Sequence, residues 1–163
     1  MSANREVQKS RNKPEKLVCQ NRKARHTYFI EEQLEAGLEL RGTEVKSLRQ
    51  GKGSIGEAYA RMKHGEAWLY GFHIPPYEQG NRYNVDPVRP RKLLLHRREI
   101  ARLAAAVERQ GYTIVPLKVY FSRGLAKVQI GLARGKQKAD KRQDLKQRDQ
   151  QREMARALNR LRK

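Results

Sequence analysis

The sequence predicts a mainly β domain: six antiparallel strands forming a small closed or partly open barrel, with helices outside it and a basic C-terminal tail. Three observations carry this. Apolar and polar residues alternate with a period of two from Leu34 to Leu40, the spacing of a strand with one buried face. Two further stretches rich in strand formers are each broken by a short turn containing a glycine, Gly65 and Gly124, which reads as two hairpins. Every aromatic residue lies between positions 26 and 133, so the core is built from the middle of the chain.

The charge distribution supports the same division. The 163 residues carry 37 Lys and Arg against 17 Asp and Glu, a net charge of +20, which points to a polyanionic partner. Residues 1–25 hold eight basic residues against two acidic ones, and residues 134–163 hold twelve against four. The chain therefore divides into a flexible basic arm over 1–20, a folded barrel over 21–136 and a basic tail over 137–163.

Taken in order, Tyr28 and Ile30 lie on one side of a first strand, and Leu34–Leu40 form a second. Thr43 caps a short helix with Glu44 in its first turn, Val45 and Leu48 facing inward and Gly51 beyond its end. Ala58–Met62 and Ala67–Phe72 make the first hairpin. Residues 75–92 carry Pro75, Pro76, Gly80, Asn81, Asn84, Pro87 and Pro90, the chemistry of a mobile loop. Ile100, Leu103, Ala104 and Val107 recur at helical spacing within Arg97–Gln110, and Gly111 ends that helix. Tyr112–Phe121 and Ala126–Leu132 form the second hairpin, where Pro116 marks an edge or a bulge. The order suits an OB-like barrel, a fold that often presents a face to RNA, or alternatively a split α+β sandwich.

Several function classes are excluded at this level. A single cysteine, Cys19, allows no internal disulfide, and four scattered histidines form no metal site. No apolar run approaches the ~18 residues that span a bilayer, and no secretory signal is recognisable, so a soluble cytoplasmic protein without membrane contact is expected. Gly51–Gly56 matches a dinucleotide-binding glycine pattern but follows a helix instead of a strand, and Gly131–Gln137 is one residue short of a phosphate loop. No nucleophile–base set is present, so no catalytic residues, no metal and no cofactor are expected. Glu31 and Glu32 point to opposite faces of a strand and do not form an acid/base pair. Glu35 stands on the outer face, either accepting hydrogen bonds from a nucleobase or as a solvated charge beside an arginine. The strand aromatics either fill the core or stack on bases. In the tail, Met154, Leu158 and Leu161 repeat at helical spacing among arginines. That stripe is too narrow to hold a helix on a core, and the segment is either a solvated charge run or a helix that forms against phosphate.

Several strings occur together in order: Asn21-Arg22-Lys23-Ala24-Arg25-His26, Glu35-Ala36-Gly37-Leu38, Gly42-Thr43-Glu44-Val45-Lys46-Ser47-Leu48-Arg49, Arg91-Lys92-Leu93-Leu94-Leu95, Lys127-Val128-Gln129-Ile130-Gly131, and Gly135-Lys136 followed by Asp140-Lys141-Arg142. With them, from about Asn21 to Arg142, the chain resembles the SsrA-binding protein family, small protein B. The resemblance implies a monomeric bacterial barrel that binds the tRNA-like domain of transfer-messenger RNA and escorts it to stalled ribosomes for trans-translation. It implies an RNA-binding surface of Asn21, Arg22, Lys23, Arg25, Glu35, Arg91, Lys92, Leu94, Lys127, Gly135 and Lys136. It also implies a tail, disordered when free, in which Asp140, Lys141, Arg142, Lys146, Arg148, Arg152 and Arg156 meet the small-subunit decoding centre and become helical in the empty mRNA channel. Ala139 departs from the family, which commonly has a stacking His or Tyr before Asp-Lys-Arg.

Overall fold

A computed structural model describes residues 16–136 and 138–162. Its frame is set by two tight turns. His64 and Gly65 have φ of 53° and 73°, and Arg123 and Gly124 have φ of 53° and 77°. Two successive positive φ values give the turn whose twist matches that of paired strands. The first turn joins β3 (Tyr59–Lys63) to β4 (Glu66–Tyr70), and the second joins β6 (Thr113–Ser122) to β7 (Leu125–Gly135).

The other strands are β1 (Lys16–Gln20), β2 (Tyr28–Leu38) and β5 (Arg91–Leu94). Hydrogen bonding runs β6-β3-β4-β5-β2-β7 and back to β6, which closes a six-stranded ring, while β1 lies outside it on β6. The barrel is therefore realised, not the sandwich. Its six strands differ from those expected in two places. Tyr28–Leu38 is one strand with an irregularity between Ile30 and Glu32, and the sixth strand is β5, whose first residues fall within the expected loop. β1 likewise occupies the end of the expected N-terminal arm, paired with Lys118–Phe121. Residues 1–15 of that arm lie outside the described residues. Pro116 sits where the β6–β7 register shifts, before Lys118, as a residue without an N–H requires.

Among the described residues there are four α-helices, α1 (Ala24–Thr27), α2 (Gly42–Arg49), α3 (Arg97–Gln110) and α4 (Lys138–Leu161). Helix α2 is capped at Arg41 instead of Thr43, with the Arg41 backbone N–H donating to Glu44 Oε1 at 2.9 Å. Its inward residues are Glu44, Ser47 and Leu48. Leu48, Leu69, Phe72, Leu93, Val119 and Val128 fill the barrel interior. A second, smaller cluster of Ala24, Val115, Leu117 and Ala133 lies under α1 on the outer side, with Tyr28 and Ile30 against it. That second cluster explains why β6 is buried on both faces.

The segment between β4 and β5 is held in place, against the expectation of a mobile loop. Ser47 Oγ donates to Pro75 O at 2.7 Å, and Ile74 N donates to Pro87 O at 2.9 Å. Asn84 closes the turn by accepting from Tyr77 N at 2.9 Å and donating to Tyr77 O at 2.8 Å. Gly80 is buried there, and a Cβ on it would lie 2.9 Å from both Asn84 Oδ1 and Thr43 Cγ2.

Candidate nucleic-acid interface

Along β2 the inward residues Ala36 and Leu38 alternate with Glu35 and Gly37 on the outside. Register then brings distant residues beside them: Gly37 lies opposite Leu94 of β5 on one side and Lys127 of β7 on the other. Glu35, Lys92, Leu94 and Lys127 thus share the lining of one open groove of about 670 Å³, together with His96 and Arg97 at the start of α3. Leu94 is 51% exposed, an apolar surface among cations. A Cβ at Gly37 would stand 3.1 Å from Leu94 Cβ, so the glycine lets that side chain lie across the strand. Lys92 Nζ meets Glu66 at 2.9 Å, and this hydrogen bond and charge raise the pKa of an ammonium already positive at neutral pH. The Glu35 carboxylate accepts a hydrogen bond from Tyr120 Oη. That anchor was invisible in the sequence, where Tyr120 reads as core.

Asn21, Arg22, Lys23, Arg25, Gly135 and Lys136 lie at the other end of the β2–β7 ladder, where Tyr28 pairs with Gly135. Nine residues of strand separate the two ends, about 30 Å. Arg22, Lys23 and Arg25 are exposed around α1. Asn21 is structural as well as peripheral, since its backbone N–H donates to Leu117 O at 2.7 Å and its Nδ2 to Pro116 O at 3.2 Å, satisfying carbonyls at the bulge.

Two expected contact residues are withdrawn from the surface. Arg91 is fully buried. Its Nε donates to Glu44 Oε2 at 2.5 Å, and its other nitrogens reach Phe72 O and, at 3.0 Å, Pro87 O. Arg89 binds the other oxygen of Glu44. Burial pushes the Glu44 carboxyl up, but donation from Arg89, the Arg41 backbone and Arg91 outweighs it and leaves the pKa below the usual carboxylate value. An inward strand position, next to a carboxylate that must be neutralised, explains why Arg91 lies inside the barrel. Lys136, the second, has a side chain only 5% exposed, paired with Asp144 of α4. Its Nζ also donates to Arg25 O at 2.8 Å and lies 4.8 Å from the Phe29 ring centroid.

Glu31 and Glu32 have separate partners, Tyr112 Oη at 2.6 Å for the first and Arg102 at 2.6 Å for the second, so they form no acid/base pair. Among the described residues no group of three or more His, Cys, Asp or Glu could hold a metal, and no helix is long and apolar enough to cross a membrane. Burial raises the Cys19 pKa to about 11, which leaves the thiol unreactive at neutral pH.

Helix α4 has 24 residues, a length of about 36 Å. It meets the body beside α1. Lys141 is half-buried, and Arg142, Lys146, Arg148, Arg152 and Arg156 are exposed. Leu145, Met154, Leu158 and Leu161 are exposed too, so the apolar stripe read from the sequence covers nothing. The side chains of Lys138, Ala139 and Asp140 lie outside the described residues.

Residues 18–160 match the family described as SmpB protein. The SsrA-binding protein of Geobacillus thermodenitrificans is 57% identical over 143 residues, spanning 88% of this chain and 92% of its own. The SsrA-binding protein of Geotalea uraniireducens is 56% identical over 144 residues, 88% of this chain and 95% of its own. A chain of a solved structure described as "tmRNA-SmpB: a journey to the center of the bacterial ribosome" is similar at 52% identity and a TM-score of 0.62, covering 78% of this chain and 93% of that one. With a match that spans both the barrel and most of the tail, this chain belongs to the SmpB family.

Proposed function

We propose that this protein binds the tRNA-like domain of transfer-messenger RNA and delivers it to stalled ribosomes in the bacterial cytoplasm, performing no chemistry of its own. The observation that carries the reading is the convergence of Glu35, Lys92, Leu94 and Lys127 on one groove. Together they supply three elements of RNA recognition. Lys92 and Lys127 meet phosphate, Leu94 offers an apolar surface to a base or ribose, and the anchored Glu35 accepts from a base amino or imino group. Arg22, Lys23 and Arg25, about 30 Å away along the ladder, hold further phosphates of the same folded RNA.

The tail takes the second role. Asp140, Lys141 and Arg142 enter the decoding centre, and Lys146, Arg148, Arg152 and Arg156 follow into the mRNA channel. Strong helix formers and exposed arginines support this division, because such a segment gains little from its own barrel and much from phosphate. We infer that, beyond the Lys136–Asp144 tie, it is disordered in the free monomer and helical on the ribosome.

The test is filter binding of the tRNA-like RNA to wild type and Glu35→Ala across a salt series. A purely electrostatic surface would bind more tightly once a negative charge is removed. A specific acceptor predicts affinity weaker by roughly 10-fold, the scale of a hydrogen bond to a charged group. Affinity that rises or stays unchanged would remove Glu35 from the site.

A further inference from the structure

The outer face of the β3–β4 hairpin carries a feature that the groove does not use. Ala60, Ala67 and Leu69 point into the core. The alternate positions face outward, with Tyr59 opposite Tyr70, Arg61 opposite Trp68 and Lys63 opposite Glu66. The Tyr59 and Tyr70 rings are stacked, 5.6 Å between centroids and 15° between planes. The Arg61 guanidinium lies over the Tyr59 ring at 5.2 Å. Tyr59 remains 40% exposed.

Cross-strand aromatic pairs stabilise hairpins on their own, and that accounts for the pairing of the rings. It does not account for continuity with the groove. Trp68 lies directly opposite Lys92, a groove residue, so the ring-and-cation row and the groove form one band on the sheet. Two strand spacings and two residues of rise place Tyr59 about 12 Å from Lys92, the reach of three to four stacked nucleotides at ~3.4 Å each. The row carries Arg61, Lys63 and Lys92 against Glu66 alone, a charge balance that suits a polyanion.

We propose that the outer face of β3–β4, built on Tyr59, Tyr70 and Arg61, is a stacking platform for unpaired bases of the RNA whose folded part occupies the groove. The proposal rests on the RNA-binding reading above. Aromatic rings and a guanidinium plane accept any base, so the platform adds affinity for single-stranded RNA without reading its sequence.

The experiment compares wild type, Tyr59→Thr, Tyr59→Phe and Glu35→Ala for binding to the tRNA-like RNA and to a short unstructured RNA carrying one 2-aminopurine. Thr keeps strand propensity and Phe keeps the ring, and thermal melts check the hairpin in each. Stacking predicts quenching of 2-aminopurine by wild type and Tyr59→Phe. It predicts affinity weaker by roughly 5- to 100-fold in Tyr59→Thr, with an unchanged salt slope. Wild-type protein that binds the oligonucleotide without quenching overturns the platform. So does a Tyr59→Thr protein that binds as wild type while Glu35→Ala is weakened, and in that case the groove reading stands. If neither substitution weakens binding, the groove reading falls as well. Self-association that Tyr59→Thr abolishes would give the face to a second copy of the chain and overturn the proposal.

Discussion

Strand β7 and helix α4 are separated by two residues and differ in nearly everything that fixes a side chain in space. β7 is paired along its length with both β2 and β6, and its alternate residues are buried in one of two apolar clusters. Lys127 therefore has its position before any partner arrives. The residues of α4 beyond Asp144 are exposed on every side, and backbone hydrogen bonds alone set their spacing. One element can be complementary to a particular RNA surface, because ordering was completed on folding. The other supplies charge and helix propensity and takes its final arrangement from whatever surrounds it.

The largest effect expected from this contrast comes from removing the tail. Truncation after Gln137 should leave affinity for the isolated tRNA-like RNA within about threefold at physiological salt, since only non-specific phosphate attraction is lost. Peptide tagging on stalled ribosomes should fall to background. A truncated protein that still supports tagging, or that no longer binds the free RNA, would show that the two regions do not divide the work in this way.

Next in size is the buried network of Glu44, Arg89 and Arg91, which decides whether Arg91 belongs to the interface or to the frame. Arg91→Ala leaves a buried carboxylate short of a partner and takes one donor each from Phe72 O and Pro87 O, and should destabilise the protein by about 3–5 kcal/mol in urea unfolding. Affinity per folded molecule should be unchanged. Normal stability combined with weaker RNA binding would return Arg91 to the surface role that the family resemblance implies. A pH titration probes the same network more gently. Because the folded pKa of Glu44 is depressed, its contribution is present above the unfolded value of about 4.5 and is lost as pH falls through the lower folded value. Unfolding free energy should therefore drop as pH falls below about 5, and Glu44→Gln, already destabilised, should lose less over the same range. Parallel pH profiles would contradict the assignment.

These tests also mark what was legible in the sequence. The hairpins were, because Gly65 and Gly124 act through their own φ angles and need nothing from the rest of the chain. Helix α3 was, because its periodicity is local. Strand β1 was not, since Lys16–Gln20 gains its conformation from residues about a hundred positions away on β6. β5 was not, since it is four residues long with an arginine facing inward. The burial of Glu44 depends on Arg89 and Arg91, some 45 positions later, and no periodicity signals an ion pair across that distance. Within the site, alternation put Glu35 on the outer face with two roles open, and Leu94 and Lys127 were named through the family resemblance. Neither their convergence on one groove nor the Tyr120 hydrogen bond could be read from spacing.

The smallest effect concerns the point where the two regions meet. Lys136 follows the end of β7, Asp144 lies in the second turn of α4, and their ion pair ties the two regions together. Asp144 is about a quarter exposed, so solvent screening limits the pair to about 1 kcal/mol. Asp144→Asn should keep the carbonyl acceptor but remove the charge. It should raise amide hydrogen exchange in the first two turns of α4 by about fivefold, with no change in the barrel. No longer neutralised, the Lys136 ammonium adds its charge to Arg22, Lys23 and Arg25 at that end of the ladder, so affinity for the tRNA-like RNA should rise about two- to threefold and the salt slope should steepen by about 1. Lys136→Ala in the same background should abolish that gain, which separates a released lysine from the simple loss of a negative charge. If Asp144→Asn binds more tightly whether or not Lys136 is present, the ion pair has no part in presenting the lysine, and the boundary between rigid and partner-ordered regions lies upstream of residue 136.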